Sequence, residues 1–152
     1  MRHSVRRPMM LLAILVVASA LAACSTPAAS TSAPASAAAG GGLTGQTWEW
    51  TGGTTTDPVS QHVVPDPENY TLTFNDDGTF NAKADCNQVS GSYEAGDDGS
   101  LAVTLGPATL AACPEGSQGI EFVDQLNSAD AWAIDGQTLR ITLVGDDTME
   151  FN

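Results

Sequence analysis

The chain has 152 residues, 42% of them hydrophobic and 15% charged, with five Lys and Arg against 18 Asp and Glu and a formal net charge of −13. Nucleic-acid binding needs clustered basic side chains, so this balance excludes it. The length holds one domain and little more.

The chain starts with Arg2, Arg6 and Arg7, then an apolar run from Met9 to Ala23. A positive stretch, a short apolar stretch and small residues at the exit describe a secretory signal peptide. The run of 15 residues falls short of the roughly 20 that a transmembrane helix requires. It closes on Leu21-Ala22-Ala23-Cys24, which resembles a bacterial lipobox. Residues 1–23 are then the signal peptide, and Cys24 becomes an acylated, palmitate-bearing N-terminus on the extracytoplasmic side of the cell membrane. Two or more acyl chains hold a protein stably where one does not, and the diacylglyceryl group of bacterial lipoproteins meets that condition. Val5 stands where a twin-arginine signal wants Ser or Thr, which favours the general secretory route.

Removing residues 1–23 leaves two bases and 18 acids, so the mature charge is 2 − 18 = −16. Anionic head groups repel such a body, and the lipid is its only expected membrane contact. Residues 24–42 form the tether: after Cys24 come only Ser, Thr, Ala, Pro and Gly. Nothing there buries enough surface to offset chain entropy, which predicts a disordered spacer.

From Leu43 onward, period-two alternation marks half-buried strands. Trp48 and Trp50 define the first; Tyr70, Leu72 and Phe74 the next; then Phe80, Ala82 and Ala84, and Val89, Gly91 and Tyr93. Leu101, Val103 and Leu105 follow, then Leu139, Ile141 and Leu143, and finally Met149 and Phe151. Between them stand Asn75-Asp76-Asp77-Gly78, Gly96-Asp97-Asp98-Gly99, Asp135-Gly136 and Gly145-Asp146-Asp147, residues that tolerate positive φ in tight turns. Strands joined so closely run antiparallel. Gly52 to Pro67 shows no alternation and reads as an irregular loop. Ser117 to Ser128 carries Ile120, Phe122, Val123 and Leu126 at helical spacing and reads as one short amphipathic helix capped by Ser117. The expected fold is α+β: a strongly bent antiparallel sheet of about eight strands, a partly barrel-like meander, with the helix packed on it.

Once Cys24 is assigned to lipid, Cys86 and Cys113 remain as an even pair in an oxidising compartment, which predicts a disulfide. A metal site or a reactive thiol are the competing readings. Zinc wants three or four ligands, and His62 is the only histidine after the signal peptide.

Taken in order, Tyr70-Thr71-Leu72-Thr73-Phe74-Asn75-Asp76-Asp77-Gly78-Thr79-Phe80, Asp85-Cys86-Asn87, Gly91-Ser92-Tyr93, Thr109-Leu110-Ala111-Ala112-Cys113-Pro114, the helix with Phe122 and Leu126, and Asp135-Gly136-Gln137-Thr138-Leu139 resemble the META domain (HslJ-like) family. Leu43 to Trp48 looks like its opening strand, so the resemblance spans residues 43–152. It implies a bent, partly barrel-like antiparallel sheet with a helix. It implies no reaction: members have no settled biochemical activity and are often envelope proteins linked to stress or toxic-compound tolerance. Family members commonly have Gly where this chain has Asp85. The lipoprotein subset sharing Asp tends to carry both cysteines, which supports the Cys86–Cys113 pairing.

For chemistry, Asp76, Asp77, Glu94, Asp97, Asp98, Asp135, Asp146 and Asp147 sit in the turns or beside them, where Asp serves the backbone. Asp85 and Glu94 are the best remaining carboxylate pair for acid–base hydrolysis of glycans. His62 has no evident partner for nucleophilic catalysis. Asn75 to Gly78 lacks the twelve-residue calcium loop. Lys83 and Arg140 are expected to pair locally on the sheet surface; with Asp85 they are the candidate ligand or surface contacts, one cation holding an anion in the concavity as the alternative. Trp48, Trp50 and Trp132 read as core anchors, or as the lining of a ligand site at a barrel mouth. The expectation is a monomeric, non-catalytic binding or envelope-maintenance module without metal or cofactor. It meets the membrane through Cys24 and an unidentified protein or small molecule through its domain. A small hydrolase and a protein-docking inhibitor or chaperone are the alternatives.

Overall fold

The computed structural model describes residues 42–152. The signal peptide, Cys24 and the tether up to residue 41 lie outside the described residues. Nine strands and one α-helix follow: β1 (Thr47–Thr56), β2 (Val59–Val63), β3 (Tyr70–Phe74), β4 (Thr79–Ala84), β5 (Asn87–Ala95), β6 (Leu101–Ala108), α1 (Gly119–Leu126), β7 (Ala129–Asp135), β8 (Thr138–Leu143) and β9 (Thr148–Phe151), with a 3-10 turn at Pro67–Asn69.

Eight strands lie side by side in the order β6-β5-β4-β3-β1-β9-β8-β7, and β2 pairs with β1 off this path. All the strand pairings are antiparallel. β1 is the pivot. One meander, β3 to β6, spreads from one of its edges and another, β9 back to β7, from the other. The sheet curls into a half-barrel whose outer strands meet at one end, through a bridge between Ser100 and Ala131 and a 2.8 Å bond from the Trp132 amide to the Gly99 carbonyl. At the opposite end, where β6 finishes, α1 inserts Phe122 and Leu126.

The alternation read from the sequence is the alternation of burial. Tyr70, Leu72 and Phe74 of β3 face inward with Phe80, Ala82 and Ala84 of β4, and the threonines of β3 face out. Trp50 is fully buried among Tyr70, Phe122 and His62, with ring centroids 5.9, 5.4 and 5.3 Å away. Phe151 lies 6.3 Å beyond Phe122. Each such Phe or Leu contributes about 1.5–3 kcal/mol on leaving water. The concave face is therefore packed with side chains, and among the described residues no charged or polar residue is fully buried.

Three expectations are corrected. Gly52 to Pro67 is not an irregular loop: it completes β1 and adds β2, a hairpin turning through Asp57 and Pro58. Its alternation is hidden because most of β2 faces solvent on both sides. His62 is thus on a strand, with its ring edge against Trp50. The helix is shorter than expected, and Ile120 is exposed while Gly119 is buried. A Cβ on Gly119 would lie 2.8 Å from the Ala84 carbonyl oxygen, so glycine is what lets α1 approach β4. Ser117 accepts the Gly119 amide at 3.2 Å, but from one residue before the cap position, which is Gln118. Trp132 is only partly buried, because β7 is an edge strand; Trp48 and Trp50 are in the core.

Candidate functional site

The segment between β6 and α1 returns across the β4–β5 turn, and two fastenings hold it there. The first is a Cys86–Cys113 disulfide with Cα atoms 5.5 Å apart. The second is Asn87. Its Oδ1 accepts the Ala111 amide at 2.7 Å and the Thr109 hydroxyl at 3.0 Å; its Nδ2 donates to the Ala111 carbonyl at 3.0 Å. Thr109 in turn exchanges main-chain contacts with Gln88: its amide donates to the Gln88 carbonyl at 2.9 Å, and its hydroxyl accepts the Gln88 amide at 2.9 Å. One asparagine side chain thereby does the work of a strand neighbour for residues 109–111.

Between this strapped segment and the outer face of α1 lies a groove of about 430 Å³, within the usual range of ligand sites. Ala84 and Val89 line it from the sheet, Leu110 and Ala112 from the strap, and Ile120 and Val123 from the helix. Leu110 is 94% exposed and Ile120 82% exposed, although both are large and apolar. Single exposed apolar residues are ordinary; here two line one groove. Clefts of similar size lie beside Trp48 and Gly136 and beside Glu94 and Asp130, and neither gathers such residues.

The residues singled out in the sequence do not converge. Lys83 projects from the outer face of β4, where its ammonium donates to the Glu68 carbonyl at 3.1 Å and to Asn69 Oδ1 at 2.9 Å. Arg140 on β8 pairs with Glu150 on β9 at 3.1 Å. That pair is half-exposed and worth about 0–1 kcal/mol. The two cations face outward on strands four steps apart in the sheet, about 19 Å at the usual strand spacing. Asp85 occupies the β4–β5 turn with φ 59°, a left-handed conformation that glycine adopts most readily. Its amide donates to the Asn69 carbonyl at 2.7 Å. Glu94 lies near the far end of β5, seven residues beyond Asn87, or about 23 Å along a strand. Among the described residues, no group of three or more His, Cys, Asp and Glu side chains is placed to hold a metal ion, and no helix is long and apolar enough to cross a membrane. The sequence reading missed Asn87, Leu110 and Ile120 as site residues. The legible signal was Asn87 directly after a cysteine whose partner closes the segment that Asn87 holds.

The polar turns have their own electrostatics. Asp77 accepts the Thr79 hydroxyl at 2.6 Å and amide at 3.0 Å, and these bonds hold its carboxyl below the ordinary 3.8. Asp98 does the same with Ser100. Burial, reinforced by Asp76 and Asp77, raises the Tyr93 phenol, which donates to the Asn75 carbonyl at 2.8 Å.

Comparison with known proteins agrees with this architecture. A protein from Burkholderia xenovorans solved by NMR is similar over 72% of this chain and 82% of its own, with 24% identity and a TM-score of 0.59. A DUF4847-family protein from Bacteroides vulgatus is similar over 72% of this chain and 92% of its own, with 18% identity and a TM-score of 0.50. At such identities the likeness is one of fold. No curated protein sequence matches. The META domain family matches residues 41–152, and the chain belongs to that family.

Proposed function

We propose that this META domain is carried on the extracytoplasmic side of the membrane by lipid on Cys24 and acts there without catalysis, as a binding module in envelope maintenance and stress tolerance. The observation that supports binding over chemistry is the packed concavity. With Trp50, Phe122 and Phe151 filling the half-barrel, the exposed apolar side chains lie outside it, and two of them, Leu110 and Ile120, share the groove beside the disulfide. The hydrolase alternative draws less support, since Asp85 sits in the β4–β5 turn and Glu94 near the far end of β5, an arrangement that does not set the two carboxyls side by side across a bond to be cleaved. The anchor is supported by Leu21-Ala22-Ala23-Cys24 and by a domain too acidic to adhere to anionic lipid on its own.

The test is palmitate labelling and membrane fractionation in a bacterial host. The wild-type chain should be labelled and sediment with membranes, and Cys24→Ala should lose both properties. An unlabelled wild type, or unchanged sedimentation of Cys24→Ala, would reject the anchor.

A further inference from the structure

Resting on the binding-module reading, we propose that the groove beside the disulfide docks an extended, apolar and basic peptide segment of a partner protein. Three features of the site select that chemistry.

The first is the strap. Thr109, Ala111 and Cys113 are the residues fastened to Asn87, Gln88 and Cys86. Leu110 and Ala112 alternate with them, and their main-chain groups make no hydrogen bond within the described residues. A short run fastened through alternate residues leaves the main-chain groups between them unpaired, and such groups are what another chain adds to. The second is the groove itself, with Leu110 on one wall and Ile120 on the other ready to receive apolar side chains.

The third is charge. Asp124 is in the groove wall, and Glu115 stands between the lining residues Pro114 and Gly116. Both are exposed. The two cations among the described residues, Lys83 and Arg140, are engaged elsewhere. An acidic segment would meet uncompensated repulsion along this rim, whereas lysines and arginines beside apolar residues would meet complementary charge.

The test uses the full chain in zwitterionic lipid nanodiscs, empty nanodiscs as the blank, and fluorescence anisotropy of a short labelled peptide of leucine, alanine and lysine. A second peptide carries glutamate for each lysine. The lysine peptide should bind and the glutamate peptide should not. Leu110→Ser with Ile120→Ser should weaken binding about tenfold or more, and these exposed positions leave the core intact. Glu115→Gln and Asp124→Asn together should weaken it by about fivefold at low ionic strength and flatten its salt dependence. Equal binding of the two peptides overturns the charge assignment and leaves the binding-module reading standing. Failure of the lysine peptide, with self-association that Leu110→Ser abolishes, overturns the proposal and gives the groove to a second copy of the chain. Turnover of envelope glycans with no peptide bound overturns the proposal and the non-catalytic reading together.

Discussion

Asp77 and Asp98 show what an acid in a tight turn of this chain is for. Each folds its carboxylate back on the hydroxyl and amide two residues ahead, closing a tight turn between antiparallel strands. A carboxyl held below its ordinary value stabilises the fold above about pH 3.8, and that contribution is lost as the pH falls through the lower folded-state value. A carboxyl-detected NMR titration of Thr79→Val should therefore show Asp77 moving up toward 3.8, with Asp98 unchanged. An unmoved Asp77 would remove the Thr79 hydroxyl as the leading cause. These turn acids were legible because the Asp-Gly dipeptides flank clear alternation. Asp85 was not, because Lys83-Ala84-Asp85 continues the alternation one residue past the end of β4. Only the backbone, with its left-handed φ, reveals Asp85 as a turn residue standing where glycine is easiest to place.

Among the elements, α1 departs most from its periodicity. Ile120, Val123 and Leu126 suggest one buried stripe, yet the axis is rolled so that Gly119, Phe122 and Leu126 face the sheet and Ile120 faces the groove. The Gly119 contact with Ala84 decides this, since backbone can approach backbone only where there is no Cβ. Gly119→Ala is expected to destabilise the domain by about 1–3 kcal/mol through overpacking, more than the roughly 1 kcal/mol that alanine gains in helix propensity. Urea unfolding measures the balance, and a more stable variant would show that the helix can shift without cost. The central strands were readable because one face of each is buried. β2 and β7 were not: β2 is exposed on both faces apart from His62, and β7 at the sheet edge buries no residue fully. Alternation reports a difference between faces; β2 has almost none, and in β7 a register shift between Ala129 and Ala131 interrupts it.

For the molecule as a whole, the disulfide joins positions 27 apart and closes the strap that Asn87 also holds. On the chain-entropy estimate, replacing both Cys86 and Cys113 by Ser costs about 3–4 kcal/mol. The urea midpoint of the unmodified domain should fall with reductant and that of the double variant should not. A midpoint insensitive to reductant in both would mean that the thiols are unpaired in solution. Parity made this link readable at once, whereas the groove depends on where the β6–α1 connection lands in space, which no local pattern encodes. β1 carries a different consequence. Trp50 pairs with Phe151, so the first long strand finds one of its three neighbours about a hundred positions later. The wing that runs from β3 to β6 can zip up through short links alone, but the opposite wing reaches the pivot only through β9. Assembly therefore waits on a distant encounter, a slow kind of closure, and until it occurs the flank of β1 and the ring of Trp50 stand open to whatever the emerging polypeptide meets first.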